Sequence, residues 1–252
     1  VEPIEIGLRP FYDCYYSNTV GYRGRVYINS ILYGVLSQEE CASALEHDAV
    51  GAELAVRNMR AVARTLPRFS DDAARLELIS MPCPAVLTEN EALYDTLRAV
   101  GRGIPPKQTR KLCMEFRADV LRGDSSRLRQ AFTDIRAAGW KIAVDGYGTR
   151  DFPMTALAET PPDAVYLCPE AVRLLDDRER AASVGAYVSF AQSLGVRVIA
   201  DGAATDGQVR ELSSRECFAY MPSPDYCGSA DVVSRETDLR MLTVTGGDSR
   251  AE

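Results

Sequence analysis

Short apolar runs alternate with amphipathic stretches along most of the chain. The apolar runs predict eight strands, at residues 4–12, 24–29, 76–81, 111–116, 141–145, 164–168, 196–200 and 217–221. Turn chemistry at Asn18 and Gly21 predicts that the first two strands form a hairpin. A capping box at Ser37 and Glu40 predicts the start of a helix. Helical periodicity predicts further helices at residues 89–100, 119–138, 154–158, 178–194 and 206–214.

Strands that alternate with helices are typical of parallel βαβ units, so the fold class is α/β. Eight strands at this length favour a modified TIM-like (β/α)8 barrel with a first antiparallel hairpin strand. An open doubly wound sheet is the alternative, although no G-x-G-x-x-G follows the first strand. We expect a single domain over residues 1–245, with a late strand or helix within 231–242 and a disordered tail at 246–252.

The composition of the chain argues against several classes of binding partner. A net charge of -7 argues against non-specific binding of nucleic acid. No apolar run approaches the roughly 20 residues of a membrane helix, so we expect a cytoplasmic domain without membrane contact of its own. Since the sequence starts at Val1, it is expected to be part of a larger protein, which could be membrane-attached. Seven cysteines without a C-x-x-C pair indicate reduced thiols rather than a zinc site.

Three acidic residues end, or nearly end, predicted parallel strands: Glu115, Asp145 and Asp201. In a parallel barrel these ends meet at one mouth, where chemistry takes place. Converging carboxylates are the ligands that magnesium requires. Each acid could instead cap a helix or pair with an arginine, and the pattern leaves these alternatives open.

Several strings together resemble the EAL domain family. Segment 112–116 resembles the strand with the E-x-T-E signature, and segment 138–149 the strand and loop with D-D-F-G-T-G. Segment 194–205 resembles the stretch that ends in A-E-G-V-E-T. Near the start, 9–11 resembles Q-P-I, and 20–22 resembles the G-Y that precedes E-A-L. The resemblance covers nearly the whole chain and implies a barrel that hydrolyses cyclic di-GMP with two divalent cations.

The sequence departs from the EAL pattern where the resemblance places metal ligands and catalytic groups. The retained, vestigial metal positions are Glu115, Asp145 and Asp201. The lost positions are Arg23 for the motif glutamate, Met81 for the asparagine, Gly146 for the second aspartate, Tyr166 for the lysine and Phe218 for a glutamine. We therefore expect no catalytic residues, no phosphodiesterase activity and no cofactor, with magnesium or manganese relevant only if the residual acids still bind one.

Three functions follow from this interpretation. The first is a catalytically inactive, regulatory protein-interaction module in bacterial cyclic di-GMP signalling. The second is a non-hydrolysing cyclic di-GMP receptor, in which Arg9 and Arg23 would contact phosphate and Tyr27 would contact a base. The third is a weak metal-dependent phosphodiesterase or an unrelated barrel enzyme. We favour arginine pairing with Glu115 and Asp145 over ligand binding, and the resemblance implies a homodimer through 149–157.

Overall fold

The computed structural model describes residues 4–37, 40–41, 46, 49–66, 75–227 and 240–243. Its strands, in chain order, are β1 Ile4–Asp13, β2 Thr19–Ser30, β3 Gly34–Ser37, β4 Leu78–Pro82, β5 Leu112–Arg117, β6 Lys141–Tyr147, β7 Ala164–Leu167, β8 Arg197–Thr205, β9 Ala219–Cys227 and β10 Arg240–Thr243. All eight predicted strands are confirmed. The short strand β3 was not predicted, whereas β10 overlaps the end of the segment 231–242 that was expected to form a late strand or helix.

Helices connect most of the parallel strands. They are α1 Ala49–Thr65, α2 Leu93–Val100, α3 Pro106–Thr109, α4 Ser125–Ala137, α5 Met154–Glu159, α6 Pro169–Arg173, α7 Ala181–Ser193 and α8 Asp206–Ser214. Short 3-10 turns lie at Ala85–Glu89, Ala118–Arg122 and Leu174–Asp176. Local chemistry sets several ends: Asp124 accepts hydrogen bonds from the backbone of Ser126 and Arg127 at the start of α4.

The strands close into an eight-stranded barrel in the order β1-β9-β8-β7-β6-β5-β4-β2, and β2 returns to β1. Six neighbouring pairs are parallel, from β2–β4 through β8–β9. Strand β1 is antiparallel to both β2 and β9. The modified TIM-like barrel with an antiparallel first hairpin is therefore confirmed.

Parallel strands that are buried on both faces make up the wall of the barrel. All four residues of β7 and five of the six residues of β5 are buried. Inward side chains form a small apolar cluster that fills the barrel: Phe11, Leu78, Cys113, Ala143, Ala164, Tyr166, Ile199, Ala219 and Met221. Outward side chains pack under the helices in a larger cluster. Near-continuous apolar strands are typical of sheets covered on both faces.

Beyond the barrel wall, β1 and β2 continue as an antiparallel ribbon. Strand β2 pairs with β4 over Gly21–Arg23, but it pairs with β1 as far as Ile28. Strand β10 pairs with the start of β1, and β3 pairs with the end of β2. We call the resulting four-stranded extension, β10-β1-β2-β3, the flap. Because β2 is parallel to the barrel strands, the flap rises at the end where those strands terminate.

In the part of the chain that the structure describes, no helix is long and apolar enough to cross a membrane. Cys14, Cys83, Cys113, Cys168 and Cys217 are buried free thiols. The segment expected to be a disordered tail, 246–252, lies outside the described residues. The prediction of one domain over residues 1–245 stays a prediction.

Candidate functional site

Arg23 lies at the centre of the barrel mouth, on β2. Its side chain is 1% exposed, and Arg23 is among the largest fully buried side chains of the described residues. Its guanidinium reaches three carboxylates. Nε and Nη2 donate to Glu115 Oε1 at 2.8 and 2.6 Å, Nη2 pairs with Asp145 Oδ2 at 2.7 Å, and Nη1 donates to Asp201 Oδ2 at 2.7 Å. A buried arginine of this kind needs such partners because a lone charge is costly to desolvate.

Three parallel strands bring the carboxylates to this point. Glu115 on β5 and Asp145 on β6 lie in the C-terminal half of their strands, and Asp201 is the central residue of β8. Their exposure rises from 4% for Glu115 to 13% for Asp201 and 39% for Asp145. The expected convergence of these residues at one mouth is present. The salt bridges that we expected between Arg23 and both Glu115 and Asp145 are also present.

A buried hydrogen-bonded chain supports Glu115 from below. Ser80 Oγ donates to Glu115 Oε2 at 2.7 Å and also lies 2.7 Å from the hydroxyl of Tyr166. The guanidinium carbon of Arg23 is 4.0 Å from the centroid of the Tyr166 ring, within the range of a cation–π contact. Arg23, Tyr166, Ser80 and Glu115 therefore form one connected polar network inside an otherwise apolar barrel.

Two more arginines border the mouth. Arg9 Nη1 lies 3.6 Å from Asp201 Oδ1, and Arg9 Nη2 donates to the carbonyl of Pro222. Arg25 Nη1 lies 3.8 Å from Glu115 Oε1. Each of these side chains is about a quarter exposed, at 26% for Arg9 and 25% for Arg25. With Arg23, they place three cationic groups against three carboxylates.

The electrostatics favour a permanently charged arginine. Burial by itself lowers the pKa of Arg23, but the charges of Glu115, Asp145 and Asp201 outweigh it and hold that pKa well above its ordinary value. Burial, followed by the charge of Glu115, raises the pKa of Tyr166 well above its ordinary value. The network thus contains a fixed cation and a phenol that stays protonated.

The family follows from a sequence comparison. The model of the EAL domain family matches residues 4–221. The chain belongs to the EAL family. A cyclic di-GMP phosphodiesterase of Pseudomonas aeruginosa, PA2567, is 33% identical over 105 residues, which are 41% of this chain and 18% of that protein. An uncharacterized signaling protein of Caulobacter vibrioides is 28% identical over 147 residues, 58% of this chain and 17% of its own length. The matched parts of this chain thus span less than a fifth of either relative.

Solved structures agree on the EAL fold. The PaMucR phosphodiesterase in complex with c-di-GMP aligns with a TM-score of 0.75 at 16% identity, over 87% of this chain and 89% of that chain. An EAL domain protein from Listeria monocytogenes aligns with a TM-score of 0.71 at 18% identity, over 96% of this chain and 89% of that chain. At this identity the likeness shows the barrel and does not transfer an activity.

The residues at the mouth of this EAL domain do not fit the pair of divalent cations that the family resemblance implies. Glu115, Asp145 and Asp201 each already pair with the guanidinium of Arg23 at 2.6–2.7 Å. Within the described ranges, no group of three or more His, Cys, Asp or Glu side chains is arranged to hold a metal ion. A metal would have to replace a buried positive charge that is part of the chain.

The structure does not bring Met81 to the mouth. Its side chain packs in the outer cluster beneath the helices, and a Cβ added at Gly24 would lie 2.4 Å from its sulfur. Side chains alternate along a strand, so Ser80 and Pro82 point inward and Met81 points outward. Ser80, one residue earlier, therefore contacts Glu115 inside the barrel, whereas Met81 packs in the outer cluster.

Phe218 is likewise remote from the mouth. It precedes β9, and its ring stacks 4.7 Å from the guanidinium carbon of Arg197, the first residue of β8. Both residues therefore lie at the opposite end of the barrel. The residue of β9 that pairs with Asp201 is Met221, whose side chain belongs to the inner cluster.

The remaining predicted positions lie at or above the mouth. Gly146 follows Asp145 directly and adopts a φ of +85°, a conformation that favours glycine, and its backbone N–H donates to Asp145 Oδ1 at 2.8 Å. Tyr27 is half-buried on the flap, two positions beyond Arg25, so it shares the inward face with Arg23 and Arg25. Ser80 and Arg25 were not predicted as site residues, although alternation with the inward Leu78 indicates that Ser80 faces into the barrel.

Proposed function

We propose that this EAL domain does not hydrolyse cyclic di-GMP and acts as a regulatory interaction module in cyclic di-GMP signalling. The observation that carries the proposal is the Arg23 guanidinium, which pairs with Glu115, Asp145 and Asp201 at 2.6–2.7 Å. A two-metal hydrolase needs cations that polarise phosphate and activate water. A guanidinium has no open coordination position and cannot lower the pKa of a bound water in that way.

Two further groups that the family resemblance implies for metal binding and catalysis are also absent from the mouth. Gly146 has no side chain, and Tyr166 presents a protonated phenol where the family resemblance implies a lysine. Loss of one electrostatic group commonly costs a factor of roughly 100 or more in rate. Several such losses in one site support the absence of turnover, and they leave binding as the remaining role of the domain.

The direct test is incubation of the purified chain with cyclic di-GMP and either magnesium or manganese, followed by chromatographic separation of cyclic and linear dinucleotide. An active EAL phosphodiesterase run in parallel checks the reagents. We expect no linear product above that of a reaction without protein. Metal-dependent linear product from the wild-type chain would overturn the proposal, and its loss in the Arg23→Ala variant would make the arginine part of a working site.

A non-hydrolysing receptor for cyclic di-GMP is the second candidate. The partial exposure of Arg9 and Arg25 favours such a receptor, because their guanidinium groups face the opening and could bind phosphate. Three arginines against three carboxylates nevertheless leave the six side chains without net charge, so the mouth has little general attraction for a dianion. A structural neighbour, the PaMucR phosphodiesterase, is complexed with c-di-GMP.

Isothermal titration of cyclic di-GMP, with and without magnesium, separates the two candidates. An interaction module without a nucleotide site gives no heat of binding at ligand concentrations that saturate a micromolar site. Binding that is metal-independent and weakened by Arg9→Ala supports the receptor. Arg102→Ala, which removes an exposed arginine far from the mouth, is the matched control for a general charge effect.

A further inference from the structure

The turn between β2 and β3 presents large apolar side chains to solvent. The tip consists of Ile31, Leu32 and Tyr33, whose relative exposures are 103%, 84% and 76%, and Val35 behind them is 63% exposed. We call these four residues the flap tip. Scattered exposed apolar residues are ordinary, but four within five positions on one projecting hairpin form a patch of the kind that marks an interaction site.

Ser30 and Gly34, rather than the apolar side chains of the flap tip, determine the conformation of the turn. Ser30 Oγ accepts hydrogen bonds from the backbone N–H groups of Leu32 and Tyr33 at 3.3 and 3.2 Å. Gly34 pairs with Ser30 across the hairpin and adopts a φ of +77°, which a three-residue turn of this kind requires. Polar residues at the tip would satisfy the same turn, so folding of the hairpin does not explain its apolar character.

Strand β3 also ends the sheet. Among the described residues it pairs on one side with β2 and is the last strand in the order. Soluble proteins usually protect such edges with charged residues, proline or bulges. Residues 26–37 contain no charged residue and no proline. Within the described residues, the flap therefore combines an apolar tip with a backbone edge that carries none of these protections.

By contrast, the segment that the family resemblance implies for dimer formation, 149–157, offers little apolar surface. Phe152 and Leu157 are 7% and 0% exposed and belong to the chain's own core. The residues of this segment that face solvent are mainly polar, namely Thr149, Arg150, Asp151 and Thr155. A dimer through 149–157 thus finds less support in the surface than one through the flap.

We propose that a second copy of this chain docks on the flap, with β3 pairing antiparallel to its symmetry mate and the two flap tips packing together. Such an interface is isologous and closes at two copies. A chain with a net charge of -7 repels its own copies over most of its surface, whereas the uncharged stretch 26–37 can approach its equivalent without that cost.

The size of the flap tip suits a dimer. Four largely exposed apolar side chains bring on the order of 500 Å² per copy, most of the roughly 800 Å² that each partner buries in a stable interface, and β3 pairing adds backbone area. A lipid surface fits less well, because residues 26–37 have no lysine or arginine to meet anionic headgroups. None of the charged mouth residues belongs to this interface, so its failure would leave the proposed function untouched.

Sedimentation equilibrium of the chain between about 1 and 100 µM tests the proposal, because association shifts with protomer concentration. We expect a monomer–dimer equilibrium for the wild-type chain. The combined variant Ile31→Ser, Leu32→Ser, Tyr33→Ser should be monomeric throughout, and Val35→Lys alone should weaken association at least tenfold. Tyr15→Ser with Tyr16→Ser, which removes two exposed aromatic rings at the other end of the β1–β2 hairpin, should leave the dimer unchanged.

Far-ultraviolet circular dichroism and the urea midpoint confirm that each variant is folded. A wild-type chain that stays monomeric at about 100 µM overturns the proposal, as does a dimer that survives both flap variants. A monomer that floats with phosphatidylcholine vesicles, and loses this binding in the triple serine variant, also overturns it, because the flap tip would then be a membrane contact.

Discussion

The two arcs of the barrel mouth carry opposite charge. The antiparallel arc, β1 and β2, contributes Arg9, Arg23 and Arg25, whereas the parallel arc contributes Glu115, Asp145 and Asp201. The resemblance implies metal-binding acids on the parallel arc, and it implies a glutamate at Arg23 on the antiparallel arc. The difference teaches that the side chains of one arc balance the charge of the other, since three arginines meet three carboxylates.

Removal of Arg23 should have the largest effect on this balance. Arg23→Ala leaves three carboxylates facing one another, one of them 4% exposed, and we expect a loss of about 3–5 kcal/mol in the free energy of unfolding. Urea denaturation measures it. Arg25→Ala is the matched control, since its side chain is a quarter exposed and 3.8 Å from Glu115, and it should cost about 1 kcal/mol or less. Equal losses for the two variants would contradict the central role of Arg23.

Tyr166→Lys should cause the next largest loss of stability, because it places a second cation against the buried Arg23. In the wild-type chain the guanidinium carbon of Arg23 is 4.0 Å from the centroid of the Tyr166 ring. Like charges in such a position cost on the order of 3 kcal/mol. Tyr166→Phe keeps the ring and loses the contact with Ser80, for about 1 kcal/mol.

The double variant Arg23→Glu, Tyr166→Lys tests whether the two residues depend on each other. We expect it to be more stable than the sum of the single effects predicts, since a lysine then meets carboxylates instead of an arginine. Strict additivity in a double-mutant cycle would show that the pair is independent.

The arginine should also be what excludes metal from the acidic arc. Arg23→Glu adds a fourth carboxylate and removes the guanidinium, so magnesium or manganese should raise the thermal midpoint of this variant by roughly 5 °C at saturating concentration. The wild-type chain and the control Arg25→Glu should shift by less than about 1 °C. A comparable shift in the wild-type chain would mean that a cation binds despite Arg23.

Alkaline pH should reveal the smallest effect. Burial, then Glu115, raises the pKa of Tyr166 in the folded chain, so above its ordinary value of 10.0 the unfolded chain releases a proton that the folded chain keeps. Stability contributed by this group is therefore complete below pH 10 and falls as the pH rises further, by about 1.4 kcal/mol per pH unit. Tyr166→Phe should reduce the slope of the unfolding free energy above pH 10 by that amount; an unchanged slope would contradict it.

The barrel could be predicted from the sequence because its strands and helices each have a clear local pattern. Buried parallel strands are apolar on both faces and recur between amphipathic helices, which makes them visible without a partner strand. Strand β3 was not predicted, because its four residues have no helical or alternating pattern that would indicate a strand. Its existence depends on pairing with β2, which only the folded chain reveals.

The site was predicted in part for a related reason. Glu115, Asp145 and Asp201 each stand out as an acid at the end of an apolar run, and Arg23 stands out against the E-A-L pattern. Met81 and Phe218 were placed by alignment of short strings, where a shift of one residue reverses the face of a strand. Arg25 and Ser80 meet Glu115 across strands, at 3.8 Å and 2.7 Å; strand alternation indicates that Ser80 faces inward, but not which residue it contacts.

A cation that is built into the polypeptide has no chemical potential of its own. Its occupancy does not fall when chelators or nutrient limitation deplete the ions of the surroundings, and no rival ion can exchange with it. Under the proposed function, an EAL domain centred on Arg23 would keep its ground state when the concentration of divalent ions changes. Signalling through it is expected to report only on the partners that it meets.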